Sequence, residues 1–157
     1  MADQRPIGIF DSGVGGLTVA SAVSRLLPEE SIIYFGDTRH APYGDKSDNT
    51  ILEYAKRITR FLVDKECKVI VIACNSASAV AAEVLPQIYP QIPIINVVDP
   101  TVAYLVGQKA QKVGLIATRA TVRSGVYPRR LLSLIESVEI AQKATPLLAP
   151  LVEEGFA

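Results

Sequence analysis

The sequence predicts an α/β protein of three layers, in which a parallel sheet carries helices on both faces. Three observations predict this class. Short apolar runs alternate with longer stretches whose apolar residues recur at helical spacing. The short runs are apolar throughout, as in parallel strands that are buried on both sides. Prolines and polar turns separate the two kinds of segment.

The first two strands and the helix between them follow from local patterns. Residues 6–10 form a short apolar run, which predicts the first strand. Residues 13–27 carry apolar side chains every three or four positions, which predicts a helix ended by Pro28. The β-branched and aromatic run at 31–35 predicts the second strand. A polar loop rich in Gly, Pro and Asp follows it over residues 36–46.

The next helix and strand have the clearest patterns in the chain. Ser47 or Asp48 is predicted to cap a helix. Its apolar face repeats at helical spacing and comprises Ile51, Tyr54, Ala55, Ile58, Phe61 and Leu62. Residues 68–73, KVIVIA, predict a third, fully buried strand. It leads into an Ala-rich helix that is expected to end before Pro86.

The remaining elements continue the alternation. Residues 93–98 predict a fourth strand, and Pro100 fits the first position of a helix that ends near residue 108. A fifth strand is predicted at 113–117, with a helix after Thr121 in which Pro128 obscures the start. The last two predicted elements are a weaker strand at 138–143 and a helix at 147–154.

Two lobes are predicted, over residues 1–92 and 93–157. The connection at 87–93 contains Pro90 and Pro93, which is typical of a link between lobes. After the helix predicted at 147–154 the chain offers no returning strand. We therefore expect the second lobe to be incomplete and its exposed core surface to cause self-association.

The composition of the 157 residues excludes several function classes. The apolar fraction of 49% and the charged fraction of 20% exclude disordered and collagen-like chains. Lys and Arg together number 16, as do Asp and Glu, so no basic surface for nucleic acid is predicted. Two cysteines exclude a disulfide scaffold. Without a signal peptide or the ~18 apolar residues of a membrane helix, we expect a cytoplasmic protein with no membrane partner.

Chemically capable side chains follow the predicted strands at one edge of the sheet. Ligands of open parallel sheets bind beyond the carboxyl ends of the strands. The residues at this edge are Asp11, Ser12, Gly13, Gly15 and Gly16; Asp37, Thr38, Arg39, His40, Tyr43 and Gly44; Cys74, Asn75 and Ser76; and Thr118, Arg119 and Thr121. The loops at the opposite edge carry ordinary turn residues.

Cys74 is the most reactive candidate at this edge. It follows a buried strand and precedes a helix, whose N-terminus is expected to lower the thiol pKa. A thiolate there could act as a nucleophile, a metal ligand or a proton acceptor, and the alternative is an inert buried cysteine. Cys67 precedes the same strand, so it lies at the opposite edge and cannot pair with Cys74.

The loop from Asp11 to Gly16 offers backbone N–H groups at a helix N-terminus, which suits an anionic ligand. It fits neither the dinucleotide fingerprint nor a P-loop, because Thr18 replaces the third glycine and no Gly-Lys-Ser/Thr follows. A tight turn capped by Asp11 is the alternative. Asp11 itself could be a general base or hold an ammonium group. His40 is the only histidine and is expected to be a solvated loop residue, and neither a zinc site nor a Ser-His-Asp triad is predicted.

Taken together, six segments of the chain closely resemble the glutamate racemase family. The segments are 8–17 (GIFDSGVGGL), 34–38 (YFGDT), 41–44 (APYG), 72–76 (IACNS), 113–118 (VGLIAT) and 146–155 (PLLAPLVEEG). The resemblance implies an isomerase that interconverts L- and D-glutamate without a cofactor or metal. Two cysteines on opposite faces of the substrate exchange its α-proton, and the D-glutamate supplies peptidoglycan and so the cell wall and cell shape. The implied partner is the small-molecule substrate glutamate, with a homo-oligomer as a further possibility.

The resemblance also assigns roles to residues. Cys74 becomes the first acid/base cysteine, and Asp11 assists it or binds the substrate ammonium. The residues expected to bind the substrate are Ser12, Tyr43, Gly44, Asn75, Ser76, Thr118, Thr121 and Glu153.

Two departures from the family pattern qualify these expectations. Ser76 stands where the family usually has Thr, which keeps the hydroxyl. The Cys-Thr-His motif of the family's second half, which holds the second cysteine, does not occur in this sequence. The chain is therefore expected to be truncated, with half of the acid/base pair. Two alternatives stay open, namely a relative of aspartate or hydantoin racemases and a non-catalytic ligand-binding module derived from a racemase.

Overall fold

The computed structural model of the protein describes residues 3–156, which form six strands and eight helices. The strands are β1 (Ile7–Asp11), β2 (Ile32–Gly36), β3 (Val69–Ile72), β4 (Ile94–Asn96), β5 (Lys112–Ala117) and β6 (Glu139–Ala144). The helices are α1 (Leu17–Leu26), α2 (Asp48–Asp64), α3 (Asn75–Ala81), α4 (Leu85–Ile88), α5 (Val98–Gly107), α6 (Arg119–Ser124), α7 (Val126–Leu132) and α8 (Leu148–Glu153). A 3₁₀ turn covers Tyr43–Asp45.

Four parallel strands form the first sheet, in the order β2-β1-β3-β4. One face packs against α1, where Ile9 and Val71 of the sheet meet Ala20. The other face packs against α2 and α3, where Phe10 and Ile72 join the largest buried cluster. The sheet is thus covered on both faces, which confirms the predicted three-layer α/β class.

In the part of the chain that the structure describes, a second parallel sheet consists of β5 and β6. Helices α5 and α7 cover one of its faces, with Val102 and Leu131 fully buried there. Burial alternates along β5, and Ile116 on the opposite face is 63% exposed. The second sheet is therefore covered on a single face by the described residues, unlike the first.

The fourth strand is shorter than predicted and belongs to the first sheet. Residues 94–96 pair with β3, and α5 already begins at Val98. The Asn96 side chain stabilises the start of this helix. Its Oδ1 accepts hydrogen bonds from the backbone N–H groups of Val98 and Asp99, at 2.9 and 3.0 Å. Pro100 is thus the third residue of α5, not the first. The lobe boundary between residues 92 and 93 stays a prediction, although the strand after it completes the first sheet.

Two prolines that were expected to end or disturb a helix lie in the first turn of one. Pro86 is the second residue of α4, and Pro128 is the third residue of α7. A proline is tolerated in the first turn because the N–H that it lacks would have no partner within the helix. The helix expected after Thr121 begins earlier, since the Thr118 hydroxyl caps α6. Ser47 caps α2 as predicted, by accepting a hydrogen bond from a backbone N–H at 3.2 Å.

None of the helices in residues 3–156 combines the length and apolarity that crossing a membrane requires.

Candidate active site

Cys74, Asp11 and Ser12 meet at the carboxyl edge of the first sheet. β1 and β3 are neighbours, so the residues that end these strands lie side by side. The Cys74 Sγ lies 3.4 Å from the Ser12 Oγ, to which it donates a hydrogen bond. It also caps α3 by accepting a hydrogen bond from the backbone N–H of Ala77, at 3.4 Å. Cys74 is only 5% exposed.

The Asp11 carboxylate organises the loop that connects β1 to α1. Its Oδ2 accepts hydrogen bonds from the backbone N–H groups of Gly13 and Gly16, both at 3.0 Å. Within residues 3–156 the other oxygen, Oδ1, has no hydrogen-bond partner. A Cβ at Gly16 would lie 2.5 Å from the Asp11 Cβ, so only glycine allows this close approach. Asp11 is therefore both a structural residue of the loop and a carboxylate with one oxygen left for a ligand.

The expected lowering of the Cys74 pKa is wrong for this structure. Burial and, secondarily, the negative charge of Asp11 raise the pKa of the Cys74 thiol from 9.0 to about 11. Hydrogen bonds with Ser12 and the N–H of Ala77 act in the opposite direction but are weaker. The thiolate loses its hydration on burial, and the N–H groups at the start of a seven-residue helix do not replace it. The free thiol is thus protonated at neutral pH.

Hydroxyl groups at the starts of α3 and α6 meet close to Cys74 in the chain, since Ser76 is two residues after it. The Ser76 Oγ lies 2.8 Å from the Thr118 Oγ1, across the gap between α3 and the end of β5. The Thr118 Oγ1 in turn lies 3.1 Å from the Thr121 Oγ1. Gly44 permits this junction, because a Cβ there would lie 2.8 Å from the Cβ of Thr118. Four residues predicted for the site, Gly44, Ser76, Thr118 and Thr121, therefore lie together, although they come from separate segments of the chain.

Tyr43 is turned towards a carboxylate that was not assigned a role. Its hydroxyl donates a 2.6 Å hydrogen bond to the Oδ2 of Asp37, and the ring is 1% exposed. Burial and this hydrogen bond raise the pKa of Tyr43. Asp37 follows β2 directly, at the same sheet edge as Asp11, and that position is the signal that could have identified it. The backbone N–H of Asp37 donates to the carbonyl of Asp11 at 2.9 Å, which ties the two loops together.

His40 is more constrained than a solvated loop residue. Its Nδ1 lies 2.8 Å from the Oδ1 of Asp37, and its ring stacks on Tyr54 with centroids 4.4 Å apart. The His40 side chain is nonetheless 37% exposed.

Asn75 and Glu153 lie at the margin of the site. Asn75 is exposed, and its Oδ1 accepts a 2.7 Å hydrogen bond from the Tyr127 hydroxyl of α7. The Oε1 of Glu153 lies 3.9 Å from the position of a Cβ at Gly13 and equally far from that at Gly15. Helix α8 therefore brings Glu153 to the loop that Asp11 organises. No signal in the sequence pointed to Tyr127, which lies between Val126 and Pro128.

Cys67 lies away from this cluster, as predicted. It is 2% exposed, and its Sγ would be 3.0 Å from a Cβ at Gly8, near the amino end of β1. Burial raises its thiol pKa, and both cysteines are free thiols. Among residues 3–156, no three His, Cys, Asp or Glu side chains are grouped so as to hold a metal ion.

Comparisons with known proteins give consistent results. A sequence profile of the family described as Asp/Glu/Hydantoin racemase matches residues 17–155. A glutamate racemase of Chlorobaculum tepidum is 45% identical over 157 residues, which is 99% of this chain and 58% of that protein. The glutamate racemase of Francisella tularensis in complex with D-glutamate superposes with a TM-score of 0.93 at 41% identity, over 99% of this chain and 58% of that one. For the glutamate racemase of Aquifex pyrophilus the TM-score is 0.86 at 44% identity, over 97% of this chain and 60% of that one. The chain thus spans less than two thirds of the length of these relatives.

Proposed function

Because the chain belongs to the Asp/Glu/Hydantoin racemase family, we propose that it carries one half of the acid/base machinery of a glutamate racemase. The activity is the interconversion of L- and D-glutamate in the cytoplasm, without a cofactor, for use in peptidoglycan. The observation that carries the proposal is the contact of Cys74 with Ser12 beside the Asp11 carboxylate, at the sheet edge where ligands bind.

Cys74 is the proposed proton acceptor. Its thiolate removes the α-proton of glutamate, so that the Cα–H bond breaks and an S–H bond forms. The electron pair moves from the Cα–H bond into the adjacent carboxylate. Racemisation then needs a proton donor on the opposite face of the substrate, because a two-base mechanism inverts the centre. Cys67 lies near the amino end of β1 and does not fit that role.

The raised pKa of Cys74 is compatible with this role if the substrate itself changes the charges around the thiol. The Asp11 Oδ1 is available to the ammonium group of an amino acid. An ammonium there would neutralise the Asp11 charge, which is one cause of the raised thiol pKa. The pKa would then fall and the thiolate fraction would increase. Asp11 is then a positioning residue that couples substrate binding to deprotonation of Cys74.

Hydroxyl and amide groups near Cys74 are the proposed carboxylate ligands. The Thr118 hydroxyl lies between two others, 2.8 Å from that of Ser76 and 3.1 Å from that of Thr121. Such donors stabilise the charge that develops on the α-carboxylate as the proton leaves. Ser12, Gly44, Asn75 and the backbone at the start of α3 complete the proposed set. Tyr43 supports it through Asp37, and Glu153 faces it from α8.

The test is exchange of the α-proton of L-glutamate in D₂O, followed by proton NMR. Exchange needs one base only, so this chain is expected to catalyse it, at a rate that rises with pH as the Cys74 thiol is deprotonated. Cys74→Ala is expected to abolish exchange, and Cys67→Ala is the matched control that keeps it. Equal exchange by the Cys74→Ala variant would contradict the proposal, as would loss of exchange in the control.

The same assay distinguishes two alternative functions from the proposed one. Faster exchange with L-aspartate than with L-glutamate would favour a relative with another substrate. Binding of glutamate without exchange at any pH would favour a non-catalytic ligand-binding module, which the buried, protonated thiol of Cys74 motivates.

A further inference from the structure

A separate cleft lies at the outer edge of the first sheet, between β2 and α2. Its volume is about 210 Å³, and apolar side chains provide most of its wall. Two of its lining residues also contact Tyr43 of the candidate active site: Asp37 through a hydrogen bond and Tyr54 through ring packing at 5.5 Å. Ligand sites typically combine an apolar wall with a few placed polar groups, and this cleft has that character.

Two aromatic pairs form the walls of the cleft. Phe35 and Phe61 meet edge to face, with ring centroids 5.4 Å apart. On the other side His40 stacks on Tyr54 at 4.4 Å. Phe61 remains 40% exposed although it is a large apolar ring. Flat rings on both sides of a space of this size favour a planar, aromatic occupant.

The charges at the two ends of the cleft differ. At its floor both oxygens of Asp37 are engaged, by the Tyr43 hydroxyl at 2.6 Å and by His40 at 2.8 Å. At its mouth Arg57 is exposed and has no ion pair among residues 3–156. The Lys65 Nζ lies 5.6 Å from the centre of the Phe61 ring and adds a second positive charge nearby. A negatively charged group of a ligand would therefore pair with Arg57 at the mouth of the cleft, and not with the occupied Asp37 at its floor.

We propose that this cleft binds a small planar aromatic anion, with its ring between the two aromatic pairs and its negative group beside Arg57. The occupant differs in chemistry from the substrate of the proposed reaction, since glutamate has no ring. Because Asp37 and Tyr54 both contact Tyr43, an occupied cleft is linked to the candidate active site through that tyrosine.

The test uses three probes that share a naphthalene ring and differ in charge. They are 1-naphthoate, 1-naphthalenemethanol and 1-naphthylmethylammonium, titrated into ¹⁵N-labelled chain. We expect shifts of amide signals around the cleft and the smallest Kd for the anion. Arg57→Gln is expected to raise that Kd about two- to fivefold, as for a solvent-exposed ion pair. Arg60→Gln is the matched control, since Arg60 lies on the same helix, is 78% exposed and does not line the cleft.

The outcomes decide the proposal without reference to activity. Binding that persists in Cys74→Ala and weakens in Arg57→Gln supports it, whatever the exchange assay shows. The proposal is overturned if the cation binds as tightly as the anion, or if both arginine variants bind alike. It is also overturned if the anion shifts only signals remote from the cleft, or none.

Discussion

The influence of Asp11 on Cys74 can be measured directly with Asp11→Asn. The asparagine Oδ1 can still accept the hydrogen bonds from Gly13 and Gly16 at 3.0 Å, so the loop is expected to persist. The negative charge, which is the second cause of the raised thiol pKa, is removed. The pKa is then expected to fall below about 11 but to stay above 9.0, because burial is the larger cause and does not change.

These limits set the magnitude of the effect. If the Cys74 pKa fell over the whole interval from about 11 to 9.0, the thiolate fraction at pH 8 would increase about a hundredfold. Asp11→Asn removes one of the two causes that raise the pKa, so the thiolate fraction is expected to increase roughly tenfold. The thiolate also becomes a weaker nucleophile as its pKa falls. The alkylation rate at pH 8 is therefore expected to rise only about threefold.

Alkylation by iodoacetamide between pH 7 and pH 11 is the assay, in a Cys67→Ala background so that only Cys74 reacts. Asp64→Asn, at the exposed end of α2, is the control for a general change in charge. The midpoint of the pH profile should move down in Asp11→Asn and stay in place in the control. An unchanged or higher midpoint in Asp11→Asn would refute the electrostatic coupling, and with it the proposed effect of a substrate ammonium.

Three further predictions concern stability. Gly44→Ala places a Cβ 2.8 Å from the Cβ of Thr118 and is expected to lower the unfolding free energy by about 1–3 kcal/mol. Gly114→Ala is the control, because a Cβ there meets nothing within 4 Å. Equal melting temperatures for the two variants would contradict the close contact. The Cys74 pKa is higher in the folded protein than its ordinary 9.0, so its contribution to stability is complete below pH 9 and is lost as the pH rises through about 11. Between pH 8 and pH 10.5 the native chain should therefore lose about 2 kcal/mol more unfolding free energy than Cys74→Ala in urea titrations, and parallel losses would contradict the shift. Ser47→Ala removes the cap of α2 and should lower the unfolding free energy by about 1 kcal/mol, so an unchanged urea midpoint would show that the cap contributes nothing.

Local sequence patterns predicted most of the strands and helices, because residues close together in the chain largely decide whether a segment forms a strand or a helix. The apolar run at 68–73 and the helical spacing after Ser47 correspond to β3 and α2. The same alternation predicted a parallel sheet, and parallel strands place their carboxyl ends at one edge. The proximity of Asp11 and Cys74 follows from that geometry and is confirmed. Pro86 was wrongly interpreted as a helix stop, since a proline is as compatible with a first turn as with a stop, and Pro100 is the third residue of its helix and not the first.

The sequence by itself thus determined the α/β class, the order of the six strands, and which sheet edge gathers the candidate residues. Only the tertiary structure decided that β4 joins the first sheet and that β5 and β6 form another, because strand pairing joins residues distant in the chain. The tertiary structure also places the Tyr43 hydroxyl in a hydrogen bond with Asp37 and raises the pKa of Cys74. Hydration and neighbouring charges set a pKa, and both are properties of the folded surroundings of a residue, which its position after a strand does not reveal.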